Sequence, residues 1–249
     1  MASLFDFTTD SELLDALQLA RRGQAYYAQK VNELTSDEFD EPSRVGGWKR
    51  REVIAHVGLN ARALSRLTQW AATGIRTPMY DSPGQRNDEI NAAAALDPQV
   101  LRELSDEAAL HLNDQWRQLD DSQWKNEVVT AQGRVVPVSE TVWMRTREVW
   151  IHSVDLDNGA SFDDFPPELV DRLLLDVTSS WRKRRDAEGL GDFTLEPTDR
   201  PNPVSTDPDG AAVVVCGSAA ELAEWATGRG TTGLRTADGA EVPSAPRWL

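Results

Sequence analysis

The sequence predicts a four-helix bundle over residues 1–160 followed by a smaller α/β domain over residues 161–249, an α plus α/β architecture. Three observations carry this expectation. Four long stretches before residue 160 repeat their apolar side chains at helical spacing, and Pro and Gly punctuate the linkers between them. Beyond Phe165 the pattern changes to one further helix and then to short apolar runs separated by turns.

The first helix runs from about Asp10 to Glu33 through Leu13, Leu14, Leu17, Leu19, Tyr26, Tyr27 and Val31, with Thr9 and Asp10 as candidate caps. Pro42, Gly46 and Gly47 break the period. It resumes through Val53, Val57, Leu64 and Leu67 and stops at Gly74, which makes a second helix that contains His56. A turn-rich connection, TPMYDSPGQRN, and a short helical piece come next. Asp97 and Pro98 then open a third long helix, expected to place Val100, Leu101, Leu104, Ala108, Leu112 and Trp116 on one side. The segment EVVTAQGRVVPVSE alternates and turns at Gly133, as an extended connection or small hairpin would. Ser139 begins the fourth helix, which carries Glu148 and His152.

In the second domain Pro166 and Pro167 start a helix running towards Arg185. FTLEP and AAVVVCG read as strands, SAAELAEWATG as a helix, and GLRTADGAEVP as a closing hairpin. No internal repeat is visible.

The chain has 249 residues, enough to bury a core without disulfides or a structural metal, so a bound metal is free to be functional. Its 41 acidic side chains against 26 basic ones give a net charge of −15, which repels phosphate backbones and anionic lipid. Nucleic acid and membrane surfaces are therefore poor partners, and an anionic small substrate needs a local cluster of Arg, metal or backbone amides. The single cysteine, Cys216, excludes an intramolecular disulfide and a complete cysteine metal site. With no basic-then-apolar start and no long apolar run, the expectation is a cytoplasmic protein; a monomer is expected as well.

Only three histidines occur, His56, His111 and His152. Glu148 and His152 stand four residues apart, one turn apart on one helix face. With His56 facing them from the second helix they would offer two imidazoles and a carboxylate, a set that suits Zn²⁺ with one open position. On spacing alone the same residues also describe an exposed helical pair beside a half-buried histidine. Asp155, one turn on, could orient His152 from behind or face water. His111 reads as a surface residue, Cys216 as a small core residue, and the run WRKRRD as a solvated helix face or a complement to the helix dipole. Arg229 lies between Gly228 and Gly230 just after a helix, where it is either a clamp for a carboxylate or an exposed arginine beside a capping glycine. No serine-hydrolase elbow, phosphate loop or dinucleotide fingerprint stands between a strand and a helix.

Four segments, GWKRREVIAHVGLNA, TPMYDSPGQRNDEI, VTAQGRVVPVSETVWMRTREVWIHSVDL and the terminal GRG with PRWL, resemble the mycothiol-dependent maleylpyruvate isomerases of actinobacteria, within the DinB-like superfamily. The resemblance spans nearly the whole chain. It implies a DinB-like bundle whose metal triad falls on His56, Glu148 and His152, with the family's catalytic arginine on Arg229. It also implies conversion of maleylpyruvate to fumarylpyruvate in gentisate breakdown, with zinc and mycothiol as cofactors. The same parts would serve a mycothiol S-transferase acting on electrophiles, or a non-catalytic metal- or thiol-binding protein.

Overall fold

The structure, a computed structural model, describes residues 5–82, 84–206 and 212–248. The chain divides into two compact units, Met1–Ala160 and Ser161–Leu249.

The first unit is helical. Helix α1 (Ser11–Glu33) starts where the Asp10 side chain accepts from the backbone N–H groups of Glu12 and Leu13. Helix α2 (Arg50–Thr73) ends at Gly74, whose φ of +73° is a left-handed conformation that suits glycine. A short α3 (Gln85–Ala94) follows, then α4 (Pro98–Gln118), with the Asp97 side chain as cap and Pro98 in the first turn. Strands β1 (Glu127–Val129) and β2 (Val135–Pro137) form an antiparallel hairpin and lead into α5 (Glu140–Asp155).

Helix α2 packs along α4 and α5, and α1 packs along α5. Leu17, Leu64, Leu67, Leu112, Trp116 and Val142 fill the core between them. Val100 departs from the expected apolar side. It lies 46% exposed while the neighbouring Leu101 is fully buried, because one residue turns the side chain by about 100° away from the stripe.

Two buried arginines tie α2 to α5. Arg50 donates from Nε to the carbonyl of Leu156 at 2.6 Å and from Nη2 to that of Asp157 at 2.9 Å, satisfying carbonyls just past the end of α5. Arg145 reaches back from α5 and donates through Nη1 to the Val57 carbonyl at 2.6 Å and to Asn60 Oδ1 at 3.0 Å. Between these contacts the two helices are held in register.

The second unit begins with α6 (Pro167–Glu188), which enters at Pro167 as expected. Strands β3 (Phe193–Pro197), β4 (Val204–Ser205), β5 (Val213–Gly217) and β6 (Arg235–Thr236) form one sheet in the order β4-β3-β5-β6, with β3 and β5 parallel. Helix α7 (Ala219–Ala226) follows β5, capped by Ser218 and Glu221. Trp181, Phe193 and Trp225 pack ring against ring at centroid separations of 5.5–5.7 Å.

Two expectations change here. The closing hairpin does not form: Arg235 and Thr236 pair antiparallel with Cys216 and Val215 of β5, and a turn closed from Gly239 N–H to the Thr236 carbonyl leads into an extended tail. An unfilled β5 edge outcompetes a local partner strand. The AAVVVCG strand starts at Val213, and Ala211 lies outside the described residues. The basic run WRKRRD reads as expected: Arg182 and Lys183 are exposed, with Arg182 donating to the carbonyls of Ser205 and Thr206, and Arg185 stands in the last turn of α6, while Trp181 alone is buried.

Candidate metal centre

His56 comes from the middle of α2, where the helix is buried over most of its length. Glu148 and His152 come from α5, one turn apart. The structure brings the three together. His56 Nε2 lies 2.9 Å and His152 Nε2 3.2 Å from the same oxygen, Oε2 of Glu148, and one ligand atom from each residue lies within 4.8 Å of the others. The two imidazole rings stand at 89° with centroids 4.8 Å apart, so both nitrogens converge on one point. A tetrahedral ion with bonds of roughly 2.0–2.1 Å sets its ligand atoms roughly 3.3 Å apart. The two contacts to Glu148 already have that spacing, and the histidine nitrogens, within 4.8 Å of each other, draw together to complete it.

Asp155 faces the site and not water. It is 1% exposed, and its Oδ2 accepts from His152 Nδ1 at 2.8 Å. This contact leaves Nε2 of His152 aimed at Glu148 and at the point of convergence, the orienting role that carboxylates play behind metal-bound histidines. The Arg44 N–H donates to the Asp155 carbonyl at 2.9 Å and anchors the loop before α2 to the end of α5.

Three further side chains wall the cluster. Arg86 of α3 places Nη2 3.2 Å from His56 Nδ1. A guanidinium only donates, so Nδ1 accepts and Nε2 carries the proton that points at Glu148. The edge of Trp48 meets the His56 ring at a centroid distance of 5.7 Å. Tyr80 is half-buried; burial raises its phenol, and the charges of Arg86 and Glu148 both act on it. Sequence reading passed over all three, because Tyr80 and Arg86 belong to a turn-rich segment and Trp48 to a Gly-rich one. Arginine beside tyrosine in an otherwise acidic chain was the available signal.

The charge states follow from the packing. Burial would raise the Glu148 carboxyl, but the two imidazoles against it prevail and hold it well below the usual carboxylate range. Burial pushes His56 down, against the pull of Glu148. Burial also works to lower His152, yet its hydrogen bonds to Asp155 and Glu148 outweigh that and lift it to about 9. The cluster is thus an anion, a neutral imidazole and an imidazolium around one point.

Elsewhere, His111 is exposed, as expected. Cys216 is buried in β5 with Sγ 3.5 Å from Glu196 Oε2, and burial raises its thiol, which favours the packed and unreactive reading. Arg229 follows Gly228, whose φ is +81°. Its backbone N–H donates to the Glu224 carbonyl at 2.9 Å and its Nη1 donates to the Thr227 carbonyl, so the guanidinium folds back on the end of α7. Among the described residues no helix is long and apolar enough to cross a membrane.

The model of the mycothiol maleylpyruvate isomerase N-terminal domain matches residues 20–157. Among solved structures, a mycothiol-dependent maleylpyruvate isomerase is 42% identical with a TM-score of 0.89, the match covering 95% of this chain and 97% of that one. A histidine-to-alanine mutant of a mycothiol-dependent maleylpyruvate isomerase is 41% identical with a TM-score of 0.88 over the same shares. Among curated proteins no relative was found. The domain model spans every helix that contributes to the His–Glu–His cluster, the solved relatives span nearly the whole chain, and on both grounds the chain belongs to the mycothiol-dependent maleylpyruvate isomerase family.

Proposed function

We propose that this protein converts maleylpyruvate to fumarylpyruvate with mycothiol, at a zinc ion held by His56, Glu148 and His152. The observation that carries the reading is the convergence of those three donors, backed by Asp155, in a chain 42% identical to a mycothiol-dependent maleylpyruvate isomerase. Two imidazoles and a carboxylate are a donor set that zinc uses when a fourth position stays open for chemistry. When bound, the cation lowers the pKa of a thiol, and the thiol adds reversibly to the conjugated cis double bond, which turns as a single bond before the thiol leaves unchanged.

The protein's own residues prepare for this. Asp155 fixes the His152 ring so that its outer nitrogen faces the centre. Glu148 stays ionised and compensates the charge of a cation. Arg86 supplies, within an acidic chain, the local positive charge that an anionic keto acid requires, and we assign it to a substrate carboxylate. Arg229 is assigned to the negative charge that develops on the substrate's carbonyl oxygen, the role implied by the resemblance of its GRG segment.

Product analysis with maleylpyruvate and mycothiol tests the reading. The expected result is the trans isomer with the thiol recovered in full. Thiol consumed in proportion to substrate would make the protein a transferase, and retained metal with no turnover would make it a binding protein.

A further inference from the structure

Helices α1 and α4 meet at few points, although each packs closely along another helix, and between them lies a cavity of about 480 Å³. That is within the size range of small-molecule sites. Ala25, Ala28, Ala109 and the Trp116 ring give it small apolar walls. Arg145 of α5 also lines it, with the residue only 2% exposed, so a cation sits at its floor.

That cation is incompletely paired. Besides its Nη1 contacts to α2, Arg145 donates through Nη2 to Gln24 Oε1 at 2.8 Å, and all three acceptors are neutral. A guanidinium has five N–H donors, so Nε–H and one Nη2 proton have no acceptor among the described residues. Nor does any carboxylate there form an ion pair with it. Glu148 acts on it only through its charge, and that carboxylate is engaged by the two histidines. Burial accordingly pulls the guanidinium down to about 10.

Both arginines at the rim are already matched, and the rim carboxylate of Asp106 forms no ion pair among the described residues. Arg21 holds both oxygens of Asp6 at 2.6 and 2.8 Å, Arg117 Nη1 lies 3.7 Å from Asp114, and Asp106 is exposed to water with the charge of Arg102 beside it. A buried cation facing only dipoles is costly, and folded proteins relieve that cost by pairing. Here the cavity leads to the unfilled donors.

We propose that this cavity is a second small-molecule site, separate from the His56–Glu148–His152 cluster. It takes a carboxylate carried on a flat apolar body, with the carboxylate on Arg145 and the body lying between the alanine walls and Trp116. Anion recognition comes from the guanidinium fork, and selectivity for a thin apolar body comes from the width that the alanines leave between two helices.

Calorimetric titration of the intact protein with 2-naphthoate, and in parallel with neutral 2-naphthamide, tests this. The expected result is saturable one-to-one binding of the carboxylate, at least tenfold tighter than the amide. Ala109→Phe, which fills the cavity from the α4 side, should weaken that binding at least tenfold. Ala25→Leu, at the exposed lip of α1, provides the same test if Ala109→Phe does not fold. Absence of saturable binding, equal affinity for the amide, or undiminished binding in the folded filled variant would overturn the proposal; the last of these would place the ligand elsewhere, including at the metal centre.

Discussion

Loading the His–Glu–His cluster with a metal ion should expel one proton, and the packing says which. In the metal-free protein burial keeps His56 neutral, Glu148 is ionised, and His152 is an imidazolium with a pKa lifted to about 9. A metal takes an unprotonated imidazole nitrogen, so near pH 7 the ion has to displace the proton on His152 Nε2, while the proton on His56 Nε2 shifts to Nδ1 without net release and Arg86 turns away from that nitrogen. The gap of about two pH units corresponds to roughly 100-fold in apparent affinity. The sign is that of a raised histidine. The protonated cluster is fully stabilised below the ordinary histidine value of 6.5 and loses that stabilisation as pH rises through about 9. Metal binding therefore strengthens about tenfold per pH unit across that window. Titration of metal-free protein with Zn²⁺ in buffers of different ionisation enthalpy counts the protons released. One per metal near neutral pH is expected, with the dissociation constant falling about tenfold for each unit of rising pH. No proton release near pH 7 together with a flat affinity would refute the charge assignment.

Asp155→Asn weakens the leading hydrogen bond that raises His152, so the proton count near neutral pH should fall below one in the same titration; an unchanged count would show that Asp155 does not control the ring. His56→Ala should lose metal and turnover together while circular dichroism retains its helical signal, because the core around α2 is apolar; a fully active metal-free variant would sink the role proposed for the metal. Arg229→Ala should keep its metal, change stability by no more than about 0.5 kcal/mol, and lower kcat tenfold or more, equivalent to ~1.4 kcal/mol of transition-state stabilisation. Unaltered kinetics would remove Arg229 from the site. Gly23→Ala should destabilise the bundle by roughly 1–3 kcal/mol in chemical denaturation, since its added methyl meets the Trp150 indole and stands 2.8 Å from Val149 Cγ2; an unshifted midpoint would mean that α1 can move away freely.

The helices were legible because their signals are local. Asp10, Asp97, Pro98 and Gly74 mark starts and stops that depend on backbone groups within one turn. Glu148 and His152 were legible as a pair for the same reason, since helical geometry alone sets their common face. Asp155 could be read either way, because its direction depends on the loop that covers it, which the residues of α5 do not encode. Arg86 and Tyr80 gave no periodic signal at all. Their relation to His56 arises from how a ten-residue helix folds over α2, a tertiary event. Strand β4 is two residues long and β6 is likewise, too short for alternation to register, and each is defined by the edge it completes.

Glu148, His152 and Asp155 stand on successive turns of α5, so their mutual spacing is maintained by that helix's own backbone. His56 meets them only through the side-by-side register of α2 and α5 that Arg50 and Arg145 maintain. The two halves of the cluster therefore fail differently. A slip or splay between these helices takes His56 away and leaves a carboxylate and an oriented imidazole intact as a two-point perch. An ion held this way would depart in stages, detaching first from α2, and could be recaptured from the α5 half without that half having to be rebuilt.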